Sequence, residues 1–344
     1  MKQALDIEDI NAERLSEMLG YRVRSVTREK VGTGQTGASY RLTLDADAGP
    51  DTLLAKVAAG DLEARRGVAG GYLAEVGFYD ELVDGLAVRT PKCWYAAISA
   101  DRLRFTLLLE DLAPRRPGIQ AEACSLDRAR AVVCNLAGLH APRWNDSTLF
   151  DLHFLLGTQG RKPVDFVAGL ARSSTDTFVQ RYRTELGPEN VATMLDGAAA
   201  IEGWLGARQQ PFTVLHGDYR LDNLMFGEAP DDVVVLDWQT AAVGSPTRDL
   251  AYFLGTSLNV EERRAAENDL VQLYHRELLA RGVEHYPFDH CFRDYRRDHL
   301  QATLVTSIGC IYATGERSQS SDEMFLAMAS RSCAAIRDLG TLEL

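Results

Sequence analysis

Nowhere in the sequence is there an uninterrupted apolar run of the roughly 18 residues that a membrane-spanning helix requires. The opening stretch MKQALDIEDINAERLSEM has no apolar core of a secretory leader, so neither a leader nor a span is expected. Basic residues are in deficit, 37 Lys and Arg against 49 Asp and Glu. The resulting charge of −12 excludes sequence-independent binding to nucleic acid or to an anionic membrane, because both depend on cations that neutralise phosphates. It leaves a cationic ligand open beside the plainer reading of a solubilising surface. Cysteine is sparse and unpaired in pattern: Cys93, Cys124, Cys134, Cys291, Cys310 and Cys333 include no CxxC and fall among apolar stretches, which suits buried thiols in a reducing, cytoplasmic setting. His285, His290, Cys291 and His299 match no zinc spacing and read as a solvated helical face. There is no internal repeat, no low-complexity segment and no G-x-S-x-G, so His140 has no nucleophile elbow to serve.

What is present is an ordinary globular composition, 46% hydrophobic and 25% charged, in 344 residues, which predicts two domains or lobes rather than one core. Ile7 to Leu19 has helical apolar spacing with Gly20 at the expected C-cap. Alternation over 23–27, 40–44 and 52–57 predicts an antiparallel meander, followed by a helix over 71–86 and strands over 94–98 and 105–109. APRRPG reads as an exposed linker. A helix then begins at Leu126, and the remainder is mainly helical apart from short apolar strands at 212–215, 224–226 and 233–236. The expected class is therefore α+β: a β-rich N-terminal unit with one internal helix, then a larger helical part.

Three features carry chemistry. Gly32, Gly34 and Gly37 form G-x-G-x-x-G, which here joins two antiparallel strands instead of opening a helix; such a hairpin lets backbone N–H groups close over phosphates. Lys56 lies inside the apolar run Leu53–Val57, where an ammonium needs an anionic partner, either a nucleotide's phosphates or Glu75. The third is VLHGDYRLDNL followed by VVVLDWQ. Asp218, Asn223 and Asp237 each lie at the end of an apolar strand, and phosphoryl transfer needs such groups: a carboxylate to deprotonate the acceptor hydroxyl and hard oxygen ligands for Mg²⁺.

From the glycine loop through LLLEDLAP, LAGLHAPRW and HGDYRLDNLMFG to LDWQTAAVGSPTRDLAYFLGTS, the chain resembles the aminoglycoside phosphotransferase and choline kinase group, and within it the ecdysteroid kinase-like phosphotransferases. The resemblance implies a bilobal protein kinase-like fold: an antiparallel N-lobe over 1–110, a hinge at 111–114 and a mainly helical C-lobe over 115–344. It implies ATP between the lobes, its adenine held by backbone groups of the stretch that includes Glu110 and Leu112. Lys56 then grips the phosphates with Glu75 as its ion-pair partner, Asp218 is the base, and Asn223 and Asp237 hold Mg²⁺. Two departures stand out. Asp237-Trp238-Gln239 replaces the Asp-Phe-Gly of protein kinases and no Ala-Pro-Glu follows, so a protein substrate is not expected. Arg220 stands where antibiotic kinases often have His, and both a γ-phosphate contact and a loop-packing salt bridge remain open for it. The implied activity is a small-molecule kinase with a hydroxylated acceptor. An apolar molecule, a hydroxyacyl-CoA and a cationic aminoglycoside are all open, beside a nucleotide-binding pseudokinase. His216 and Asp249 read as residues that order the catalytic loop.

Overall fold

In a computed structural model, the chain is described over residues 2–32, 37–157, 164–207, 210–312 and 318–344, and it divides into two compact units. The first comprises the chain up to Gly85, Thr90–Pro114 and Leu236–Ala241; the second comprises Leu86–Arg89, Arg115–Val235 and Ala242–Leu344. No helix among the described residues is long and apolar enough to cross a membrane.

The first unit is built on five antiparallel strands, β1 (Val23–Val31), β2 (Gly37–Ala46), β3 (Thr52–Ala58), β4 (Cys93–Ile98) and β5 (Phe105–Glu110), in the order β1-β2-β3-β5-β4. Period-two alternation sorts the faces. Leu53, Ala55 and Val57 of β3 join Leu42, Leu44 and Leu108 in a core that also takes Leu15 of helix α1 (Ala12–Leu19), each buried leucine or valine contributing roughly 1.5–3 kcal/mol. Lys56 is thereby sent to the other face, toward helix α2 (Leu62–Gly77). Asn11 accepts from the Arg14 N–H and splits the expected Ile7–Leu19 helix into a short turn at Ile7–Asp9 and α1, which ends on left-handed Gly20 as expected. Helix α2 starts nine residues earlier than its periodicity predicts, since 71 − 62 = 9. Asp61 caps it by accepting from the N–H groups of Glu63 and Ala64, while Gly67, Gly70 and Gly71 weaken the local helix signal.

In the second unit, α3 (Leu126–His140) packs on α7 (Val260–Ala280), α4 (Val164–Arg181) on α5 (Arg183–Gly206) and α9 (Leu300–Tyr312), and α10 (Gln319–Asp338) on α5, α6 (Thr247–Ser257) and α9. Helix α8 (Phe288–Arg297) completes the set, and α5 kinks at left-handed Gly187 before Pro188. The short strands β7 (Thr213–Leu215), β8 (Leu224–Phe226) and β9 (Val233–Val235) fall where the apolar runs predicted them. Part of APRRPG is not a bare linker: β6 (Arg116–Pro117) pairs with β8, and Arg115 forms an ion pair with Asp232. The strand β10 (Ala242–Gly244) pairs with β7. The expectation of one solvated face for His285, His290, Cys291 and His299 is corrected: His285 and His290 are exposed, but Cys291, on the inward side of α8, and His299, in the turn between α8 and α9, are fully buried.

Candidate active site

In the first unit, antiparallel pairing sets Lys56 opposite Ser39 on one side and Leu107 on the other, and its stem runs along the sheet to an ammonium facing α2. Nζ donates to Glu75 Oε1 at 2.7 Å and to Asp237 Oδ1 at 3.2 Å. Burial alone would pull the ammonium's pKa down, but Asp237 and Glu75 outweigh it and hold Lys56 charged above the usual lysine range. Burial pushes the Glu75 carboxyl up against the opposing pull of Lys56. Asp237 sits in the left-handed region at φ 61°, a conformation Asp tolerates better than most residues, and it is followed by Trp238, whose ring stacks on Phe78 with centroids 3.6 Å apart and planes 6° from parallel. Gln239 Nε2 donates to Glu75 Oε2 at 3.3 Å.

The glycine loop is the β1–β2 connection, as expected. Gly32 requires glycine for its φ of +72°, and open space surrounds it, whereas a Cβ at Gly37 would come within 3.1 Å of the Val57 carbonyl oxygen. Gly37 therefore has a packing reason besides any phosphate; Gly34 lies outside the described residues. Glu110 ends β5 with its carboxylate accepting from the Lys92 N–H at 3.0 Å, and Leu112 is buried.

In the second unit the His216-Gly217-Asp218 turn follows β7. Gly217 has φ +83°, so a side chain there would be strained. Asp218 Oδ1 accepts from the Tyr252 hydroxyl at 2.8 Å, and Oδ2 accepts from Arg220 Nε at 3.1 Å and from Asn223 Nδ2 at 3.0 Å. Asn223 Nδ2 also donates to the Asp218 carbonyl at 2.9 Å, which turns the side-chain oxygen of Asn223 away from Asp218. Arg220 Nη1 reaches Asp222 Oδ2 at 2.7 Å and Met324 Sδ at 2.9 Å; burial opposes its charge, but Asp218, Tyr252 and Asp222 hold it far above the normal range.

Asp249 stands behind the turn as expected, fully buried. Oδ2 accepts from the His216 N–H at 2.7 Å and Oδ1 from the Gly217 N–H at 2.9 Å. Burial works against its charge, yet the His140 hydrogen bond and its neighbours keep its carboxyl below the usual range. Burial also lowers His140, whose neutral ring bridges Asp249 (Nε2, 3.4 Å) and the Tyr274 hydroxyl (Nδ1, 2.6 Å). His216 accepts the Asp218 N–H on Nδ1 at 3.2 Å, the loop-ordering part expected of it.

Four contributors were not singled out from sequence. Tyr252 lies three residues after Asp249, hence on the same face of α6, a spacing that could have revealed it. Gln239 was visible in the Asp-Trp-Gln run. Gln301 Nε2 donates to the Gly217 carbonyl at 3.0 Å, while Gln120 accepts from the Leu221 N–H on Oε1 and gives its own backbone N–H to Asp222 Oδ1, both at 2.9 Å. Their links join residues 84 and 101–102 positions apart, and no local pattern announces them.

Asn223 in the second unit and Asp237 in the first each carry a hard oxygen donor of the kind Mg²⁺ takes, and the charge-paired Lys56 of the first unit suits a phosphate, so the residues present fit both groups.

Comparison with known proteins gives the same direction. The model of the ecdysteroid kinase-like family matches residues 147–284, the segment that carries Asp218, Asn223, Asp237 and Asp249. Among curated proteins, acyl-CoA dehydrogenase family member 10 of Mus musculus is 50% identical over 46 residues, 13% of this chain and 4% of that protein. Family member 11 of Gallus gallus is 33% identical over 118 residues, 32% of this chain and 14% of that protein, so the matches span only a small part of these much longer relatives. Among solved structures, choline kinase from Cryptosporidium parvum aligns with a TM-score of 0.57 at 11% identity, covering 92% of this chain and 91% of that one. The GDP complex of aminoglycoside 2′-phosphotransferase-IIIa aligns with a TM-score of 0.53 at 15% identity, covering 94% and 99%. The fold is that of the protein kinase-like phosphotransferases. Over residues 147–284 the chain is similar to the ecdysteroid kinase-like family, and it shares its fold with small-molecule kinases such as choline kinase.

Proposed function

We propose that this chain transfers the γ-phosphoryl group of ATP to a hydroxyl of a small molecule, with Asp218 as general base. The observation that carries the reading is the Asp218 turn itself. Its carboxylate is held by Tyr252, Arg220 and Asn223, and its backbone is pinned by Asp249 and Gln301, so one oxygen base is oriented at the end of a rigid strand. As the acceptor oxygen bonds to the γ-phosphorus and the bond to ADP breaks, the acceptor's proton passes to Asp218. Lys56, oriented by Glu75, grips the phosphates; the backbone of the Gly32, Gly34 and Gly37 loop covers them; backbone groups of Glu110 to Leu112 take the adenine. Asn223 and Asp237 would hold Mg²⁺, which when bound neutralises phosphate charge. Arg220, engaged by Asp218 and Asp222, is better supported as the residue that packs the catalytic loop than as a phosphate contact.

An apolar acceptor is favoured over a polycation. Tyr252 packs with Ala302 and Met328, against which Val305, Met324 and Phe325 lean, so Asp218 has an apolar wall for a neighbour. Three acidic residues of the C-terminal helices are already engaged within the fold: Asp294 by Tyr286, Asp298 by Trp204, Ser245 and Thr247, and Asp322 by Tyr182. The names of the curated relatives, acyl-CoA dehydrogenase family members, favour a second form of the same reading in which the hydroxyl is carried on an acyl thioester.

The test is release of ADP or GDP from the Mg²⁺-nucleotide against a panel of apolar alcohols, hydroxyacyl-CoA thioesters, choline and aminoglycosides. A phosphorylated product with one of them, lost in Asp218→Asn, is the expected result. No turnover across the panel despite tight nucleotide binding would favour a pseudokinase, and an Asp218→Asn protein as fast as wild type would remove the base.

A further inference from the structure

Glu75 is fully buried, and both of its carboxylate oxygens are committed: Oε1 to Lys56 and Oε2 to Gln239. The Gln239 side chain reaches Glu75 by lying across α2 at Gly71. A Cβ at position 71 would stand 3.3 Å from Gln239 Cβ, 3.4 Å from its Oε1 and 3.6 Å from its Cγ, so its three nearest neighbours all belong to Gln239. Immediately before it, Trp238 is anchored by its stack on Phe78. Chain geometry thus delivers Gln239 to one carboxylate oxygen and leaves a gap in α2 for it to do so.

We propose that Gln239 is a positioning residue for nucleotide phosphates: by fixing Oε2 of Glu75 it fixes the direction in which Oε1 holds the Lys56 ammonium, and so ties the segment bearing Asp237 to the phosphate grip. The inference rests on the phosphate-gripping role of Lys56 proposed above. An ammonium on a four-carbon stem has many rotamers, and a carboxylate free to rotate would present its lone pairs over a cone; a second hydrogen bond removes that rotation. Gly71 acts through the same contact. At 3.3 Å the Gln239–Glu75 bond has little slack, so the few tenths of an ångström by which a methyl at 71 would push Gln239 are enough to weaken it.

Isothermal titration with Mg²⁺-ADP tests this without any acceptor. Gln239→Leu, which keeps the bulk and removes the amide, is expected to weaken binding about tenfold, the scale of one lost charge-assisted hydrogen bond. Gly71→Ala is expected to weaken it in the same direction while leaving the thermal midpoint close to wild type, since alanine's helix preference over glycine, about 1 kcal/mol, offsets the crowding of Gln239; a merely structural contact would lower both together. Lys56→Met is the reference. If it binds Mg²⁺-ADP as tightly as wild type, or wild type does not bind, the phosphate-grip reading and this inference fall together. If Lys56→Met is weakened while Gln239→Leu and Gly71→Ala bind like wild type, only the role of Gln239 is overturned.

Discussion

Replacing Asp249 by Asn removes one charge and one acceptor from behind the Asp218 turn, and the structure sets the cost. Asp249 accepts the Gly217 N–H on one oxygen and the His216 N–H on the other. Asparagine keeps a single oxygen, so whichever way its amide turns, one backbone N–H meets an NH₂ group. That loses one hydrogen bond to a charged group, about 1.5–3 kcal/mol, and leaves a buried donor unpaired, about 1–3 kcal/mol. Relief from burying a carboxylate offsets part of this, for a net loss of about 2–4 kcal/mol. The sign with pH follows from the direction of the shift. Asp249 is held below its usual range, so its stabilisation is present above the unfolded value near 3.9 and is lost as pH falls through the lower folded value; the Asn protein should lack that acid loss. The assay is hydrogen exchange read on the peptide spanning 213–219, backed by urea unfolding with an unchanged slope. Protection and midpoint equal to wild type would refute the claim that Asp249 pins the turn.

Three further outcomes follow from buried groups. His299 is fully buried with its pKa lowered to about 3, by burial first and by Arg263 second, so its neutral form is the folded one. Below the unfolded value near 6.5 the unfolded chain binds a proton the fold excludes, and stability should drop by about 1.4 kcal/mol per pH unit between roughly 6 and 4; urea midpoints of His299→Leu should be flatter there, and an equal slope would remove the account. Gly138→Ala puts a Cβ 2.6 Å from the Ala87 carbonyl oxygen, backbone that cannot step aside, and should cost about 2 kcal/mol or more by thermal unfolding; an unchanged midpoint would show that 86–89 yields. Gln120→Leu leaves the Leu221 N–H without its partner and should increase exchange at 221–223 while sparing that at 105–110, a contrast that uniform destabilisation would not give.

Much of this was legible because its determinants are local. Alternation over 52–57 sends Leu53, Ala55 and Val57 into one core and Lys56 out of it, and the His-Gly-Asp run announces a strand end, a positive-φ glycine and a carboxylate within three residues. The start of α2 was missed because a capping aspartate opens a helix whose first turns have three glycines behind them, so the pattern becomes visible only at the apolar end. The motif chemistry and the resemblance suggested roles for Asn223 and Asp237, but spacing could not say what else Asp218 and Glu75 touch. A carboxylate has about four acceptor sites, and a motif names the carboxylate without naming who fills them. Tyr252, Gln301, Gln120 and Gln239 fill them or brace their backbone from elements distant in sequence.

That division has a consequence for how the site can vary. A residue that reacts is constrained by chemistry and stays within a motif, whereas one that orients it need only deliver a donor to a given point, and several residue types on several elements can do so. Three of the four bracing residues are glutamines, whose amides donate and accept without adding charge. Around Asp218 and Glu75 this matters, because an arginine or a lysine in the same place would add a cation beside Arg220 or Lys56, and a carboxylate would repel its partner. Neutral braces leave each carboxylate one cation as its partner, Arg220 for Asp218 and Lys56 for Glu75, with no second charge competing for either pair.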